Sequence, residues 1–306
     1  MGPVERDVLR ELVTVGSSAI EGVVTHRTLR HGVGTGALVS TAAGVAVPTL
    51  IAWIAGIPVK PSALGAAIGS LGSGLYDAIA LRPTTFLVWG DSHGNQAIHR
   101  KVIAKMSKES GADFAVFMGD AVDAPGDWRR NWESVVGPVK QRMPVYTIRG
   151  NHDDEDGYAR HAQHPTPQAI RLRVGAVYTI GGPDDVPWVA RHASNVEGPV
   201  VLCLHRGPAA FVEEARGNAD AVRSWLGPLL GRAAVVLCGD QHVFGVGFLG
   251  ETSVVTAGIA GPKHYRCLGS QPEGWECDGS VRGYLRVTVG DKVNVSLVEV
   301  DDVPVA

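Results

Sequence analysis

Beyond residue 83 the chain repeats one pattern: a short uninterrupted apolar run, a polar cluster, then a longer stretch with helical spacing. The apolar runs lie in "TFLVWG", "DFAVFMG", "PVYTIRG", "PVVLCLH" and "AAVVLCG". Runs of this length, closed by turn residues, read as strands buried on both faces. Helices are predicted over about residues 96–110 and 209–230, with another between the second and third strands. Strands alternating with helices imply parallel βαβ units. After His242 the pattern changes to short strands broken by glycines. It ends in "GYLRVTVG" and "KVNVSLVEV", which implies an antiparallel tail.

Residues 1–83 are patterned otherwise, so the chain divides into an N-terminal apolar helical segment and a domain over 84–306. Val4, Val8, Leu9, Leu12, Val15 and Ile20 recur at roughly helical spacing, with Glu5, Arg6, Arg10 and Glu11 between them, as in an amphipathic helix. Residues 32–59 then carry no charged side chain, enough length to cross a hydrocarbon core of about 30 Å. A turn, "PVKPS", and a second Gly/Ala-rich run over 63–81 with a single acid, Asp77, follow. Two readings stay open. One is a membrane hairpin through residues 34–81, whose small residues let two helices approach. The other is a buried helical accessory domain or an oligomerisation element. If both runs cross, Arg27, Arg30 and Arg82 flank the pair and only Lys60 lies in the turn, which places the C-terminal domain in the cytoplasm. The localisation is therefore membrane-associated with a cytoplasmic domain, or cytoplasmic. The polar start of the chain does not resemble a secretory signal peptide.

Composition narrows the function classes. An apolar fraction of 45% and a formal net charge of -3 describe a globular protein without the basic footprint of a nucleic-acid binder. Cys203 and Cys238 fall in apolar runs, where cysteine behaves as a small hydrophobe. Cys267 and Cys277 fall in a loop, either bridged in an oxidising compartment or as free thiols in a reducing cytoplasm.

Each strong strand ends in groups that hold cations or move protons: Asp91-Ser92-His93, Asp120-Ala121-Val122-Asp123, Asn151-His152-Asp153, His205, and Asp240-Gln241-His242. Ligands of open α/β sheets bind beyond the carboxyl ends of the strands, so these clusters should converge on one crevice. In Asp-x-His the period of two points both side chains the same way, toward one metal. A single such acid is usually a helix cap. An ordered series of them at successive strand ends is not.

Taken together, "GDSHGN", "GDAVDAPG", "GNHDD", "CLHRG" and "GDQHVF" resemble the signature blocks of the calcineurin-like metallophosphoesterase superfamily, over about residues 84–300. The resemblance implies a four-layered α/β/β/α sandwich with a dinuclear metal centre. On the family's pattern Asp91, His93 and His242 hold the first metal, Asp120 bridges both, and Asn151 and His205 hold the second. His152 matches the leaving-group acid, and Asp123 resembles the acid that orients it in the Ser/Thr phosphatase branch. The implied reaction is hydrolysis of a phosphodiester or phosphomonoester by a metal-bridging hydroxide, on a small phosphoester substrate. Mixed nitrogen and oxygen ligands point to two divalent ions, Mn foremost, with Fe, Zn, Ni or Mg as the others. The alternative is a non-catalytic scaffold on the same fold, and His152 beside Asn151 argues against it.

Two departures stand out. Where the family has Gly-His-x-His, this chain has Gly239-Asp240-Gln241-His242. Asp240 either replaces the missing histidine as an oxygen ligand or leaves the second site weak. As a ligand it lowers the charge of the site, which favours diesters and Mn²⁺. The phosphate-gripping arginine of the Ser/Thr phosphatase branch is Ala124 here, which argues against a protein phosphatase. Arg206 is either a phosphate contact or a surface residue. Residues 263–278, with Tyr265 and Trp275, either cover the crevice or pack structurally. His99, His161, His164, His192 and His264 fit no ligand pattern.

Overall fold

The computed structural model describes residues 83–94, 96–124, 126–261 and 265–300. The amphipathic helix and the apolar hairpin read for residues 4–81 lie outside them, as does His264. In chain order the described residues form β1 (Thr84–Trp89), α1 (Gln96–Met106), β2 (Phe114–Phe117), α2 (Ser134–Lys140), β3 (Val145–Thr147), α3 (Glu155–His161), β4 (His164–Pro165), β5 (Gln168–Arg171) and β6 (Ala176–Ile180). They continue with α4 (Val186–Ala193), β7 (Val200–Leu204), α5 (Arg216–Leu230), β8 (Ala233–Cys238), β9 (Phe244–Leu249), β10 (Thr252–Ala257), β11 (Glu276–Asp278), β12 (Gly283–Val289) and β13 (Val293–Glu299).

The strands make two sheets, ordered β13-β12-β1-β2-β3-β4 and β11-β9-β10-β8-β7-β6-β5. The five strands expected from the apolar runs all form. β1, β2 and β3 pair in parallel in the first sheet, and β7 and β8 in the second. The tail is antiparallel at β9–β10 and at β12–β13, yet β10 itself runs parallel to β8. β12 then leaves the second sheet and pairs with β1.

Alternation along each strand sends neighbouring residues into different cores. Phe86 and Val88 of β1 and Val116 of β2 share one apolar cluster with Val201 and Cys203 of β7 and Val235 and Leu237 of β8, so the two sheets share a core. The intervening Leu87 and Trp89 join Ala115 and Phe117 against Val102, Ile103 and Met106 of α1 and Val135, Val136 and Val139 of α2. Leu202, Leu204 and Val236 do the same against Val189 of α4 and Val222, Leu226 and Leu229 of α5. Both faces of these strands are buried, which is why the runs are apolar without interruption. The result is a mixed α/β fold of two sheets and helices.

Two helix limits differ from those the spacing predicts. α1 ends at Met106, where Lys108 and Glu109 donate to the carbonyls three residues back, of Lys105 and Met106, and tighten the last turn. Beyond it the Glu109 carboxylate accepts from Tyr284 Oη and Arg286 Nη1, both at 2.6 Å, which fixes the chain against β12. α5 begins at Arg216 rather than near residue 209. Phe211 is fully buried, its N–H donates to Gln241 Oε1 at 2.8 Å, and its carbonyl accepts from Leu268 N at 2.9 Å. These long-range bonds hold the segment out of helix. Cys267 and Cys277 form a disulfide, while Cys203 and Cys238 are free and buried. Among the described residues no helix is long and apolar enough to cross a membrane.

His99 belongs to the core. Trp89 Nε1 donates to its Nε2 at 3.1 Å, and burial pulls its pKa down to about 3. An unfolded chain protonates this ring near its ordinary value of 6.5, so between about 6.5 and 3 the unfolded state holds the extra proton. Stability therefore falls as pH drops through that window, by up to about 1.4 kcal/mol per pH unit from this residue. His99→Gln keeps an acceptor for Trp89 and does not titrate. Melting temperatures recorded from pH 7 to pH 4 should fall less steeply for the variant than for the parent; parallel curves would remove His99 from the acid limb.

Candidate metal centre

Among the described residues the non-glycine positions with left-handed backbone are Asp91, His93, Asp120, Asp240 and His242, with φ of 59°, 44°, 58°, 65° and 51°. All five were singled out from the sequence as ligand candidates. Short polar side chains tolerate this region best, at a cost of about 1–3 kcal/mol each. The sharp turns directly beyond β1, β2 and β8 are laced to one another: Asp91 N donates to Gly119 O at 2.8 Å, His93 N to Asp120 O at 3.0 Å, and Asp240 N to Asp91 Oδ1 at 2.9 Å. Gly150 is required by close approach, since a Cβ there would lie 2.0 Å from Asp120 Oδ1. Gly119, at φ +100°, would meet the Gly150 backbone in the same way.

The side chains so placed bring lone pairs together. His205 Nδ1 lies 2.7 Å from the Met118 carbonyl, to which it must donate, so in the neutral ring Nε2 carries the lone pair. That nitrogen is 3.0 Å from Asn151 Oδ1, 3.5 Å from Asp120 Oδ2 and 3.5 Å from Asp240 Oδ1. On the other side His93 Nδ1 lies 2.5 Å from Asp123 Oδ1, which accepts from it. His93 Nε2 then faces His242 Nε2 at 3.1 Å and Asp120 Oδ2 at 3.4 Å, and His242 Nε2 is 3.6 Å from Asp91 Oδ1. Asp91, His93, Asp120 and His242 are all buried, with one ligand atom from each within 4.8 Å of the others.

Buried carboxylate oxygens and imidazole nitrogens gathered this closely form a site that a cation would stabilise. Burial foremost, then the neighbouring carboxylates of Asp120 and Asp240, hold the Asp91 carboxyl well above the usual carboxylate range, against the pull of the Asp240 N–H. Its Oδ2 is buried and has no hydrogen-bond partner among the described residues. A cation reverses this electrostatic cost. The mixed imidazole and carboxylate donors fit a divalent ion.

Asp123 stands beside two histidines, His93 and His152. Its short bond goes to His93, while His152 Nδ1 is 3.8 Å away, beyond hydrogen-bond reach. His93, Asp123 and His152 also come within 4.8 Å, but the last two are exposed. His152 packs edge-on against His93 at 4.8 Å, with its side chain 39% exposed, and its backbone N–H donates to Asp120 Oδ1 at 2.9 Å.

Two structural anchors carried no role in the sequence reading. Asp153 is buried and accepts from the backbone N–H of Asp120 and Gly150 at 2.9 Å and of Ala121 at 2.8 Å. Burial pushes its carboxyl up, against the N–H of Gly150. Gln241, between Asp240 and His242, ties down the segment after His205 through Phe211 N and, from its Nε2, Ala209 O at 2.7 Å. Local turn chemistry could flag Asp153; nothing local flags Gln241. Tyr265 packs on His242 at 4.8 Å and Trp275 on Phe211 at 5.1 Å, so this loop packs around the site. His161 and His192 bond elsewhere, to Glu133 and to the Trp188 carbonyl.

The family model for calcineurin-like phosphoesterases matches residues 84–244, more than half of the chain, and the chain belongs to that family. No curated protein matches the sequence. Among solved structures, the chain is similar in fold to GAP50, the anchor in the inner membrane complex of Plasmodium, at 14% identity and a TM-score of 0.58, covering 72% of this chain and 86% of that one. It is also similar to the purple acid phosphatase PPD1 of yellow lupin (Lupinus luteus), at 10% identity and a TM-score of 0.59, covering 72% of this chain and 52% of that one. Family and buried cluster together support a metal-dependent phosphoesterase.

Asp153→Ala would strand the N–H groups of Asp120, Gly150 and Ala121 in a buried place, at about 1–3 kcal/mol for each. Urea unfolding should show the variant destabilised by several kcal/mol. An unchanged midpoint and slope would mean that Asp153 anchors nothing.

Proposed function

We propose that residues 84–306 form a dinuclear metal-dependent phosphoesterase, acting on a small phosphomonoester or phosphodiester. The observation that carries this reading is the position of Asp120 Oδ2, 3.4 Å from His93 Nε2 and 3.5 Å from His205 Nε2. One carboxylate oxygen thus serves two sets of donors. Asp91, His93, Asp120 and His242 would hold one cation; Asp120, Asn151, His205 and Asp240 would hold the other. Bound there, two divalent ions would supply an acidified water and neutralise charge on the phosphoryl group. Mn²⁺ is the foremost candidate on donor chemistry, with Fe, Zn, Ni or Mg as the others. The alternation of three apolar clusters supports a four-layered α/β/β/α reading of the domain.

The chain's own residues divide the remaining work. The other oxygen of Asp120 accepts from His152 N, which turns Oδ2 toward both donor sets. His152 stands beside His93, exposed enough to meet substrate, and as an imidazolium would donate a proton to the leaving oxygen. The Asp123 carboxylate stands 3.8 Å from its Nδ1. The near-neutral charge of the chain supports a small substrate over a nucleic acid. Membrane association through residues 34–81 belongs to the same proposal and rests on the uncharged run; the flanking arginines favour a cytoplasmic domain, whereas the Cys267–Cys277 disulfide favours an oxidising compartment.

Asp120→Ala should lose bound Mn²⁺ and most of the hydrolysis of aryl phosphates, measured by metal analysis and turnover. Unchanged metal content and rate would sink the reading. His152→Asn should keep its Mn²⁺ and lose roughly 10²–10⁴-fold in rate. The loss should shrink for substrates whose leaving group needs no proton; equal losses on alkyl and aryl phosphates would give His152 another role.

A further inference from the structure

Arg206 follows directly on His205 beyond β7, and Asp240 opens the turn after β8. A single oxygen, Asp240 Oδ1, lies 3.4 Å from Arg206 Nε and 3.5 Å from His205 Nε2. The Asp240 side chain is 17% exposed and that of Arg206 is 43% exposed, so the pair runs from the donor cluster to the rim of the crevice. A guanidinium carries five N–H donors in a planar fork. Nε is taken by Asp240, and among the described residues no hydrogen bond or ion pair engages Nη1 or Nη2. A cation tethered at one edge, beside a centre that would bind phosphoryl groups, has its fork preorganised for a phosphoryl oxygen.

Charge points the same way. Asp240 adds one negative charge relative to the histidine of the family pattern, and Arg206 cancels it. The departure at Asp240 is thus compensated from the neighbouring strand end, and the charge argument for diesters falls away. Two cations and a guanidinium together can engage three unesterified oxygens. A monoester offers three; a diester offers two.

We propose that Arg206 is the phosphoryl-recognising residue of this site, oriented by Asp240, and that it selects terminal, dianionic phosphoryl groups. This rests on the dinuclear reading above. The test is calorimetric binding of inorganic phosphate and of dimethyl phosphate to the full chain loaded with Mn²⁺, with metal content measured alongside. Arg206→Gln should keep its Mn²⁺ and lose about tenfold or more in affinity for phosphate, and distinctly less for dimethyl phosphate. Arg206→Lys keeps the charge without the fork and should recover only part of the loss. If Arg206→Gln, fully loaded, binds phosphate within about twofold of the parent, the proposal is overturned and the metal centre stands. Equal losses for both anions would overturn the selection of monoesters. A parent that takes up no Mn²⁺ would overturn the centre, and this proposal with it.

Discussion

One carboxylate oxygen organises this domain. Asp120 Oδ2 lies between two histidine nitrogens, of His93 and His205. Each histidine has its other nitrogen bonded away, to Asp123 and to the Met118 carbonyl. Rings held in that way cannot turn to relieve the crowding of lone pairs. The buried carboxylates beside these rings favour positive charge at the centre, and among the described residues Arg206 reaches only the rim of the cluster, through Asp240. That electrostatic demand is the physical content of the metal-site reading, independent of any likeness to other proteins.

Much of the surrounding structure can be read as support for that oxygen. β1, β2 and β3 of one sheet and β7 and β8 of the other deliver the donors, and their shared core fixes the two sheets against each other. Left-handed turns at Asp91, His93, Asp120, Asp240 and His242 aim the side chains at the cost of backbone strain. The strain is held by bonds from outside the cluster. Asp153 gathers the N–H groups of Asp120, Ala121 and Gly150, and Gly150 lets its backbone touch the Asp120 carboxylate. Gln241 fixes the stretch after His205 from across the crevice. Donors are thereby set before any ion arrives, which is what preorganisation of a charged site requires.

The parts legible in the sequence are those decided locally. A strand buried on both faces needs an unbroken apolar run, so β1, β2, β3, β7 and β8 could be read directly, together with the polar groups at their ends. What escaped was decided at a distance. The start of α5 is set by an amide some 30 residues along the chain, on Gln241. The stretch from α3 to α4 carries no local signal: β4 has only two residues, and β5 shows one buried position in four. The move of β12 into the first sheet depends on pairing with β1, far away in sequence. The bond between His93 and Asp123 spans 30 residues, and nothing local anticipates it.

Whether two cations share Asp120 is tested most directly by anomalous scattering from crystals grown with Mn²⁺. Two peaks should appear within about 4 Å of each other. One should lie among Asp91, His93, Asp120 and His242, the other among Asp120, Asn151, His205 and Asp240. A single peak, or two that do not share Asp120, would contradict the dinuclear reading.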